Sequence, residues 1–564
     1  MLYSELCEVY GKLEKTSKRL EKTEILAEFL KKLRTERAAA GILYLLRGRI
    51  FPDYDGRETG ISSQLAIKAI AKSAGVSAEE VTQEWKKLGD LGTVTESAVK
   101  RKRQHTLFKE QLTVEKILQN LRGLVEFTGA GTVDKKIGLI TELLTSASSL
   151  EARYLVRTLL GDLRIGLGEG VLRDALGWCF FGRGDKEALE KVQKAYDVTN
   201  DFAVVFEQAG KGVHALEEVS LQPGRPVKVM LALKVSSVEE GFEEVGKPAA
   251  FEFKYDGFRL MITKDTLGEI KLFTRRLEHV TRQFPEVVAY VRRHVKGETF
   301  ILDSEAVGFD PVKKRYKPFQ EISQRIKRKY EIEKLSKDLP VEVNVFDVLY
   351  YNGKSLIQEV FEKRRKLLEK IVREEKWKIK LSEILVTDNI EEAEDFYSRA
   401  LGEGEEGLMV KKLDAPYRPG ARVGNMLKLK PEDNEFDLVV IGAEYGTGKR
   451  AGWLSSYRVA CQHEGKFLEI GKVSTGLKEK EEEGLSFQEM TRILKPFIIG
   501  EHGREVTVKP QVVVTVVYQN IQRSPTYASG YALRFPRLTR LRPDRGVKDI
   551  VFLKEVEREM KKER

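Results

Sequence analysis

The hydrophobic and polar positions change their spacing twice along the chain. In the first part, apolar residues recur every three or four positions, as at Phe29, Leu30 and Leu33. This is the spacing of amphipathic helices, and few β-branched alternations interrupt it. The pattern therefore predicts an all-helical domain over residues 1–220.

The helical pattern ends at residues 220–231, "SLQPGRPVKVML", which contain two prolines and a glycine. Such residues break regular structure, so we expect a domain boundary here. Strand-like runs follow at 249–257 and 341–353, and a helical stretch lies at 362–375. Strands mixed with helices in this way predict an α+β domain over residues 221–431.

The last part, residues 432–564, contains short strands separated by turn residues. Runs such as "YRVACQ" and "FLEIGKV" occur at the spacing of a small β-barrel. Near the end, a terminal helix is predicted, with Ile550, Leu553, Val556 and Met560 near one of its faces. No run of about 18 apolar residues occurs, so the sequence predicts no membrane-spanning helix.

The net charge is compatible with a polyanionic partner but does not require one. Lysine and arginine number 98 and aspartate and glutamate 87, which gives +11 at pH 7. This excess suits nucleic acid, and it suits a solvated charged surface equally well. The three cysteines, Cys7, Cys179 and Cys461, lie far apart and form no CxxC pair, which argues against a thiolate zinc site and fits a reducing cytoplasm.

The stretch "FEFKYDGFRL" places a lysine between acids and aromatics. Side chains alternate between the two faces of a strand, so Phe251 and Phe253 share one face. Glu252, Lys254 and Asp256 share the other. Taken alone, this charged face is as consistent with an exposed strand surface as with a nucleophilic lysine.

Other segments supply compatible chemistry. Glu305 lies in a predicted strand and Glu406 at the start of another, and carboxylates are ligands that Mg²⁺ prefers. Lys428 and Lys430 share a strand face, where they repel each other unless an anion lies between them. The aromatic ring of Phe346 could stack on a purine base. Each residue alone has a core or surface explanation, but together they could bind a nucleoside triphosphate and attack it with a lysine.

Six motifs occur in the order found in ATP-dependent DNA ligases, which the chain resembles over essentially its whole length. They are "KYDG" at 254–257, "FTRR" at 273–276, "LDSEAV" at 302–307, "VFDVLYYNGKSL" at 345–356, "EGLMVKK" at 406–412 and "LKLKP" at 427–431. The ordered set is specific, whereas KxDG alone occurs by chance in many proteins. The helical part is similar to the DNA-binding domain of replicative ligases, and the compact size resembles the archaeal type.

The resemblance implies a fold and a reaction. The fold is multidomain: an all-α N-terminal DNA-binding domain, an α+β nucleotidyltransferase (adenylation) domain and a C-terminal OB-fold β-barrel with a terminal helix. In the reaction, Lys254 attacks the α-phosphorus of ATP, the AMP passes to the 5′-phosphate of a nick, and the 3′-hydroxyl displaces it. Because an ordinary lysine is protonated at neutral pH, nearby cations or Mg²⁺ must assist the attack.

The resemblance also assigns roles to side chains. Those expected to bind the nucleotide are Glu252, Arg259, Arg275, Glu305, Phe346, Arg422, Lys428 and Lys430. Those expected to hold Mg²⁺, or Mn²⁺ in its place, are Glu305, Glu406 and Asp256. The stretch "RFPRLTRLRPDR" at 534–545 resembles the last motif of the family, and the arginines expected there near pyrophosphate are Arg534, Arg537, Arg540 and Arg542. Thr515 stands where many relatives carry an acid, so the role of that acid is not assigned in this chain.

The expected partner is nicked double-stranded DNA, in replication, repair and recombination. Residues 160–172 bring four glycines together between helical segments, where backbone amides can meet phosphates. Gln104, Leu107 and Phe108 are similar to the sliding-clamp-binding sequence of archaeal ligases. We expect a cytoplasmic monomer.

Two other classes stay open at this point: an RNA ligase or capping enzyme with the same core motifs, and a DNA-binding scaffold that has kept the fold. The long helical domain is unusual for the first, and the intact Lys254, Glu305, Glu406 and Lys428 disfavour the second. An NAD-dependent ligase would carry a four-cysteine zinc module, which three cysteines exclude. The nucleotide remains open among ATP, ADP and GTP.

Overall fold

The computed structural model divides the chain into two compact units, Met1–Leu429 and Lys430–Arg564. The residues that the structure describes are 1–101, 111–127, 131–317, 319–326, 328, 331–431, 434–447, 450 and 452–562. The predicted clamp-binding residues Gln104, Leu107 and Phe108 lie outside them.

The first unit begins with helices only. In the described residues these are α1 (Tyr3–Lys15), α2 (Arg19–Leu33), α3 (Ala39–Leu46), α4 (Ser63–Ala74), α5 (Ala78–Leu88), α6 (Leu91–Arg101), α7 (Val114–Glu126), α8 (Thr132–Ser146), α9 (Ser149–Leu159), α10 (Glu169–Phe181), α11 (Lys186–Thr199), α12 (Phe202–Lys211) and α13 (Val213–Glu217). Side chains that accept hydrogen bonds from first-turn amides fix several starts, as Ser148 does for α9 in a capping box with Glu151. The apolar faces of these helices form one core cluster.

The rest of the first unit mixes strands and helices. They are β1 (Leu231–Val235), α14 (Val238–Val245), β2 (Ala249–Lys254), β3 (Phe258–Lys264), β4 (Ile270–Thr274), α15 (Pro285–His294), β5 (Phe300–Asp310), β6 (Arg315–Tyr316), α16 (Phe319–Ile326), α17 (Ile332–Asp338), β7 (Val341–Tyr351), β8 (Lys354–Ser355), α18 (Phe361–Ile371), β9 (Ile379–Leu381), β10 (Ile384–Thr387), α19 (Ile390–Gly402), β11 (Gly407–Lys412) and β12 (Arg422–Leu429).

These strands form two sheets. One has the order β1-β12-β11-β2-β10, and the other has the path β4-β3-β5-β7-β8, with β6 beside β5 and β9 beside β7. The apolar face of the first sheet, which includes Phe251, Phe253, Leu408 and Val410, packs under α14 and α19. The residues that alternate with these along each strand, including Glu252, lie on the other, polar face of the sheet.

The helical part and the sheets of the first unit are tied together by polar contacts. Lys228, just before β1, donates to Glu169 at the start of α10 over 2.7 Å. The side-chain amide of Asn200, after α11, donates to the carbonyl oxygen of Pro226 over 2.8 Å. These bonds fix the segment that leads from the helices into the sheets.

The second unit is rich in strands. They and its helices are β13 (Asn434–Tyr445), β14 (Leu454–His463), β15 (Lys466–Val473), α20 (Phe487–Leu494), β16 (Ile498–His502), β17 (Glu505–Val508), β18 (Val513–Tyr518), β19 (Ile521–Arg523), β20 (Tyr531–Leu533), β21 (Arg537–Leu541) and α21 (Leu553–Lys562). The main sheet has the path β15-β14-β13-β17-β16, and β18 pairs with both β13 and β21. This curled sheet fits an OB fold, and the predicted fold class is confirmed. Val556 and Met560 of α21 pack into its core.

In the described residues, no helix combines the length and the apolar character needed to cross a lipid bilayer.

Candidate active site

Lys254 ends β2 on the polar face of the first sheet. In the register of β2 and β11, Lys254 lies opposite Gly407, and the amide of Glu406 donates to the carbonyl oxygen of Lys254 over 2.9 Å. The Nζ of Lys254 lies 2.5 Å from Oε2 of Glu406. The backbone pairing therefore places the amine against the carboxylate, and both side chains are largely buried.

Gly257 lets the turn after β2 approach β5. A Cβ atom at this residue would lie 2.4 Å from the carbonyl oxygen of Ala306 and 3.0 Å from Cγ of Glu305. Such distances exclude any larger residue unless a strand moves. The glycine thus brings the segment that follows Lys254 against the strand that carries Glu305.

Glu305 is a buried carboxyl group beside charged neighbours. Burial raises its pKa to about 8, while Lys254 and Arg259 oppose that rise and Glu406 adds to it. Glu305 pairs with Arg259 across β5 and β3. Two carboxyl groups therefore accompany the amine of Lys254, and one of them favours its protonated form near neutral pH.

Arg259 is held by protein groups on several sides. It donates to both oxygens of Asp303, at 2.9 and 2.5 Å, and to the carbonyl oxygen of Met230 at 2.8 Å. The hydroxyl of Tyr417 also donates to Asp303, at 2.9 Å. Burial opposes the charge of Arg259, but Asp303, Tyr417 and Glu305 together outweigh burial and raise the pKa of the guanidinium. Its centre lies 5.4 Å from the ring of Phe346.

Glu252 lies deeper in the same face, 1% exposed. Lys411 donates to its Oε2. Burial raises the pKa of Glu252, and Lys411 and Arg365 oppose that rise. The Nζ of Lys411 lies 4.8 Å from the ring centre of Phe346. Glu252, predicted to bind the adenine amine, and Phe346, predicted to stack on the base, thus both lie next to Lys411.

The other predicted nucleotide residues lie in or next to β4 and β12. Lys428 in β12 lies opposite Met409, which in turn lies opposite Glu252, so Lys428 shares the polar face. Arg422 begins β12 and is exposed, and Arg275 is exposed in the turn after β4. Lys430 directly follows β12 and begins the second unit.

Asp256 and Glu405 form a second acidic pair near the turn after β2. The amide of Asp256 donates to Oε2 of Glu405 over 3.0 Å. Burial raises the pKa of Glu405 to about 8, although the amide of Asp256 opposes that rise.

Sequence reasoning did not find the contacts of the groups that position the predicted side chains. These are Asp303, which anchors Arg259, Tyr417, which bonds Asp303, and Lys411 and Arg365, which flank Glu252. The available signal was a charged residue in a strand that otherwise reads as core, as with Asp303 in β5 and Lys411 in β11. That signal does not identify the partner.

The carboxylates near Lys254 fit a magnesium site shared with a ligand. In the described part of the chain, no group of three or more His, Cys, Asp or Glu could hold a metal ion. Glu305 and Glu406 offer two carboxyl groups, and Mg²⁺ is usually bound by one or two carboxylates together with phosphates and water. The donor set therefore suits a metal that arrives with nucleotide phosphates.

The glycine segment between α9 and α10 is held by a buried lysine. Lys22 of α2 is 6% exposed and donates to the carbonyl oxygens of Ile165 and Gly166, the latter at 3.2 Å. Within the described residues, the amides of residues 164–168 donate to no backbone carbonyl. The carbonyl oxygens of Ile165 and Gly166 thus face the buried ammonium of Lys22.

In the second unit, Asp437 forms ion pairs with two arginines of the last motif, residues 534–545. It pairs with Arg542 at 2.9 Å and with Arg545 at 2.7 Å. The hydroxyl of Thr515, directly across the ladder, donates to it over 2.6 Å. A carboxylate is therefore present beside Thr515, on the neighbouring strand. Arg540 pairs with Glu435 at the surface, and Arg534 is buried.

The two sheets, with a largely buried lysine beside two carboxyl groups, fit a nucleotidyltransferase core. Three family models match the chain in order: "DNA ligase N terminus" over residues 2–177, "ATP dependent DNA ligase domain" over 229–430 and "ATP dependent DNA ligase C terminal region" over 450–545. The chain belongs to the ATP-dependent DNA ligases. The predicted family, enzyme class and ATP and DNA binding are confirmed.

Archaeal relatives match almost end to end. The DNA ligase of Nanoarchaeum equitans is 44% identical over 98% of this chain and 96% of its own length. That of Thermococcus onnurineus is 42% identical over 97% and 95%. The solved structure named Pmar-Lig_PreS3 covers 95% of this chain and 99% of its own, with a TM-score of 0.56 and 17% identity, and so supports the fold alone.

Proposed function

We propose that this ligase seals nicks in double-stranded DNA through a lysyl-AMP intermediate formed on Lys254. The position of Lys254 carries the proposal. Its amine lies 2.5 Å from Glu406 and next to the buried carboxyl group of Glu305. An amine buried among acids at the end of a strand is costly unless it is used or paired, and here it can be both.

In the first step, Nζ of Lys254 attacks the α-phosphorus of ATP. The N–P bond forms as the bond from that phosphorus to the bridging oxygen breaks, and pyrophosphate leaves. The amine must lose its extra proton for this attack, and Oε2 of Glu406 lies close enough to accept it and pass it to solvent. The AMP then passes to the 5′-phosphate of the nick, and the 3′-hydroxyl displaces it.

The nucleotide would lie on the polar face of the first sheet. Adenine would stack on Phe346 and donate its amine to Glu252. Groups proposed to hold the ribose and phosphates are Arg259, Arg275, Glu305, Arg422, Lys428 and Lys430. Because Arg259 is anchored to Asp303, it would present a rigid charge rather than a mobile one.

Mg²⁺, or Mn²⁺, when bound, would neutralise phosphate charge as pyrophosphate leaves. Glu305 and Glu406 are proposed as its carboxylate ligands, with Asp256 as a third. The arginines of the last motif, from Arg534 to Arg542, are proposed to act on the departing pyrophosphate.

The DNA would be held through its backbone, with residues 160–172 offering amides to phosphates. We further propose a cytoplasmic monomer that acts in replication, repair and recombination. Gln104, Leu107 and Phe108 are proposed to bind a sliding clamp.

The experiment is label transfer from α-labelled ATP. With Mg²⁺, the wild type should acquire label in a bond that acid cleaves and alkali spares, as expected of a lysyl phosphoramidate. Added nicked DNA should remove that label and yield sealed strands. Lys254→Ala and Lys254→Arg should both take up no label, because arginine keeps the charge but lacks the nucleophile.

Labelling that persists in Lys254→Ala would place the nucleophile elsewhere. Label that leaves only when a nicked RNA duplex is added would favour RNA ligation instead. A chain that binds nicked DNA but never takes up label would be a scaffold. Chelation of divalent cations should abolish uptake in the wild type, and uptake without them would exclude a required metal.

A further inference from the structure

Glu252 has one occupied and one unoccupied oxygen. The side chain is buried, and Oε2 accepts a hydrogen bond from Nζ of Lys411. Oε1 is also buried, yet it has no hydrogen-bond partner among the described residues. A buried acceptor without a donor is destabilising, so such an atom indicates a place for a ligand donor.

The other nearby cation does not fill this position. Nη1 of Arg365 lies 3.6 Å from Oε1 of Glu252, beyond a good hydrogen bond. That nitrogen donates instead to the carbonyl oxygen of Ser382 at 3.0 Å. Nε of Arg365 points to Glu369 at 3.2 Å. Arg365 therefore balances charge and leaves Oε1 unoccupied.

Lys411 is fixed in its position against Glu252. It is 4% exposed, and its Nζ lies 4.8 Å from the ring centre of Phe346 and 4.6 Å from that of Phe361. The alternation along β11 puts it on the same sheet face as Met409, the register partner of Glu252. A lysine enclosed in this way cannot turn to solvent, so Oε2 stays occupied.

We infer that Lys411 is a positioning residue that determines nucleotide specificity. It keeps Glu252 in the ionised form, in which the carboxylate only accepts hydrogen bonds. Oε1 of Glu252 then selects a purine that carries an amine over one that carries a carbonyl group. The inference rests on the proposed nucleotide site. An ionised carboxylate only accepts hydrogen bonds, whereas a protonated one also donates. The 6-amino group of adenine donates, and the 6-oxo group of hypoxanthine accepts. The ammonium of Lys411 therefore favours the carboxylate form that rejects the oxo purine.

The test compares ATP with inosine triphosphate, which differs at this edge of the base by an oxo group in place of the amine. The quantity measured is kcat/KM for label transfer to the protein from each α-labelled nucleotide. The wild type should prefer ATP by at least about tenfold, the ratio expected from one mispaired buried acceptor. In Lys411→Met the preference should fall towards unity, because Glu252 loses the stronger of its two counter-charges and takes up a proton. Lys411→Arg should retain the preference.

Lys412→Met is the matched control. This neighbouring lysine lies on the opposite face of β11, with its side chain 47% exposed and 3.7 Å from Asp414. Its substitution removes the same charge and should leave the ATP preference unchanged. Thermal unfolding and affinity for nicked DNA show whether each variant is folded.

If Lys411→Met does not fold, Glu252→Gln gives the same information. Its amide can donate to an oxo group, so the preference should again fall towards unity. Equal losses of kcat/KM with both nucleotides in either variant would overturn the inference, as would a wild type that is labelled equally by both. A wild type that neither nucleotide labels would instead contradict the proposed function.

Discussion

The hydrogen atom in place of a side chain at Gly257 sets how closely the turn after β2 meets β5. A methyl group there would lie 2.4 Å from the carbonyl oxygen of Ala306, and backbone cannot yield as a flexible side chain can. We predict that Gly257→Ala displaces Glu305 relative to Lys254. Label uptake from ATP should fall at least about tenfold, since small misalignments cost large factors in rate.

Gly138→Ala serves as the control for that prediction. Gly138 lies within α8 with no atom near the place of an added Cβ, and alanine is the better helix former by about 1 kcal/mol. This substitution should leave label uptake unchanged and raise the unfolding temperature slightly. Normal uptake by Gly257→Ala would show that β5 can shift without cost to the site.

At the scale of residues, the sequence predicts faces better than it predicts partners. Alternation along β2 is visible in the sequence, and the structure has Phe251 and Phe253 in an apolar cluster. The bond from Lys411 to Glu252 joins residues 159 positions apart. No local pattern encodes such a pair, because it depends on which strands become neighbours. The catalytic and binding roles assigned from the resemblance stay predictions.

Helix α2 is linked to the glycine segment before α10 through Lys22. Because its ammonium is buried and bonds the carbonyl oxygens of Ile165 and Gly166, it shapes the loop without reaching a phosphate itself. We predict that Lys22→Met weakens binding to nicked DNA about five- to tenfold, a loss comparable to that of one ordinary hydrogen bond. Label uptake from ATP should be unchanged.

The salt dependence of DNA binding separates positioning from direct contact. A side chain that neutralises one phosphate contributes about 0.9 to the slope of log K against log salt, so the slope for Lys22→Met should match the wild type. Lys18→Met removes the same charge from the start of α2, where the side chain is 76% exposed. Similar decreases in affinity in both variants, or a reduced slope in Lys22→Met, would contradict the positioning role.

At the scale of elements, most strands and helices follow from the sequence pattern, and their ends do not. The run "EVTVKPQVVVTVVY" is one strand-like stretch, but it forms β17 and β18, which both pair with β13. Pro510 cannot donate to a ladder, which suits the break between them. The terminal helix begins at Leu553, and Ile550 before it packs in a separate small cluster.

At the scale of the whole molecule, the apolar cores are separate. Each core cluster of the described residues lies wholly within 1–429 or wholly within 430–564. A unit with its own core can fold alone, and the length of the second unit is sufficient for a domain. Trp453, packed against the core of the second unit, is the one tryptophan of residues 430–564 in the sequence.

We therefore predict that fragments 1–429 and 430–564 each unfold in one cooperative transition. Fluorescence of Trp453 and far-UV circular dichroism should give the same midpoint for the second fragment, and calorimetry should resolve both transitions in the full chain. Val556→Ala opens a cavity in the core of the second unit. It should lower the free energy of unfolding of that unit alone, by about 2 kcal/mol or more. Two results would show that the two units fold as one. Fragment 430–564 would not unfold cooperatively, or Val556→Ala would destabilise both transitions of the full chain equally.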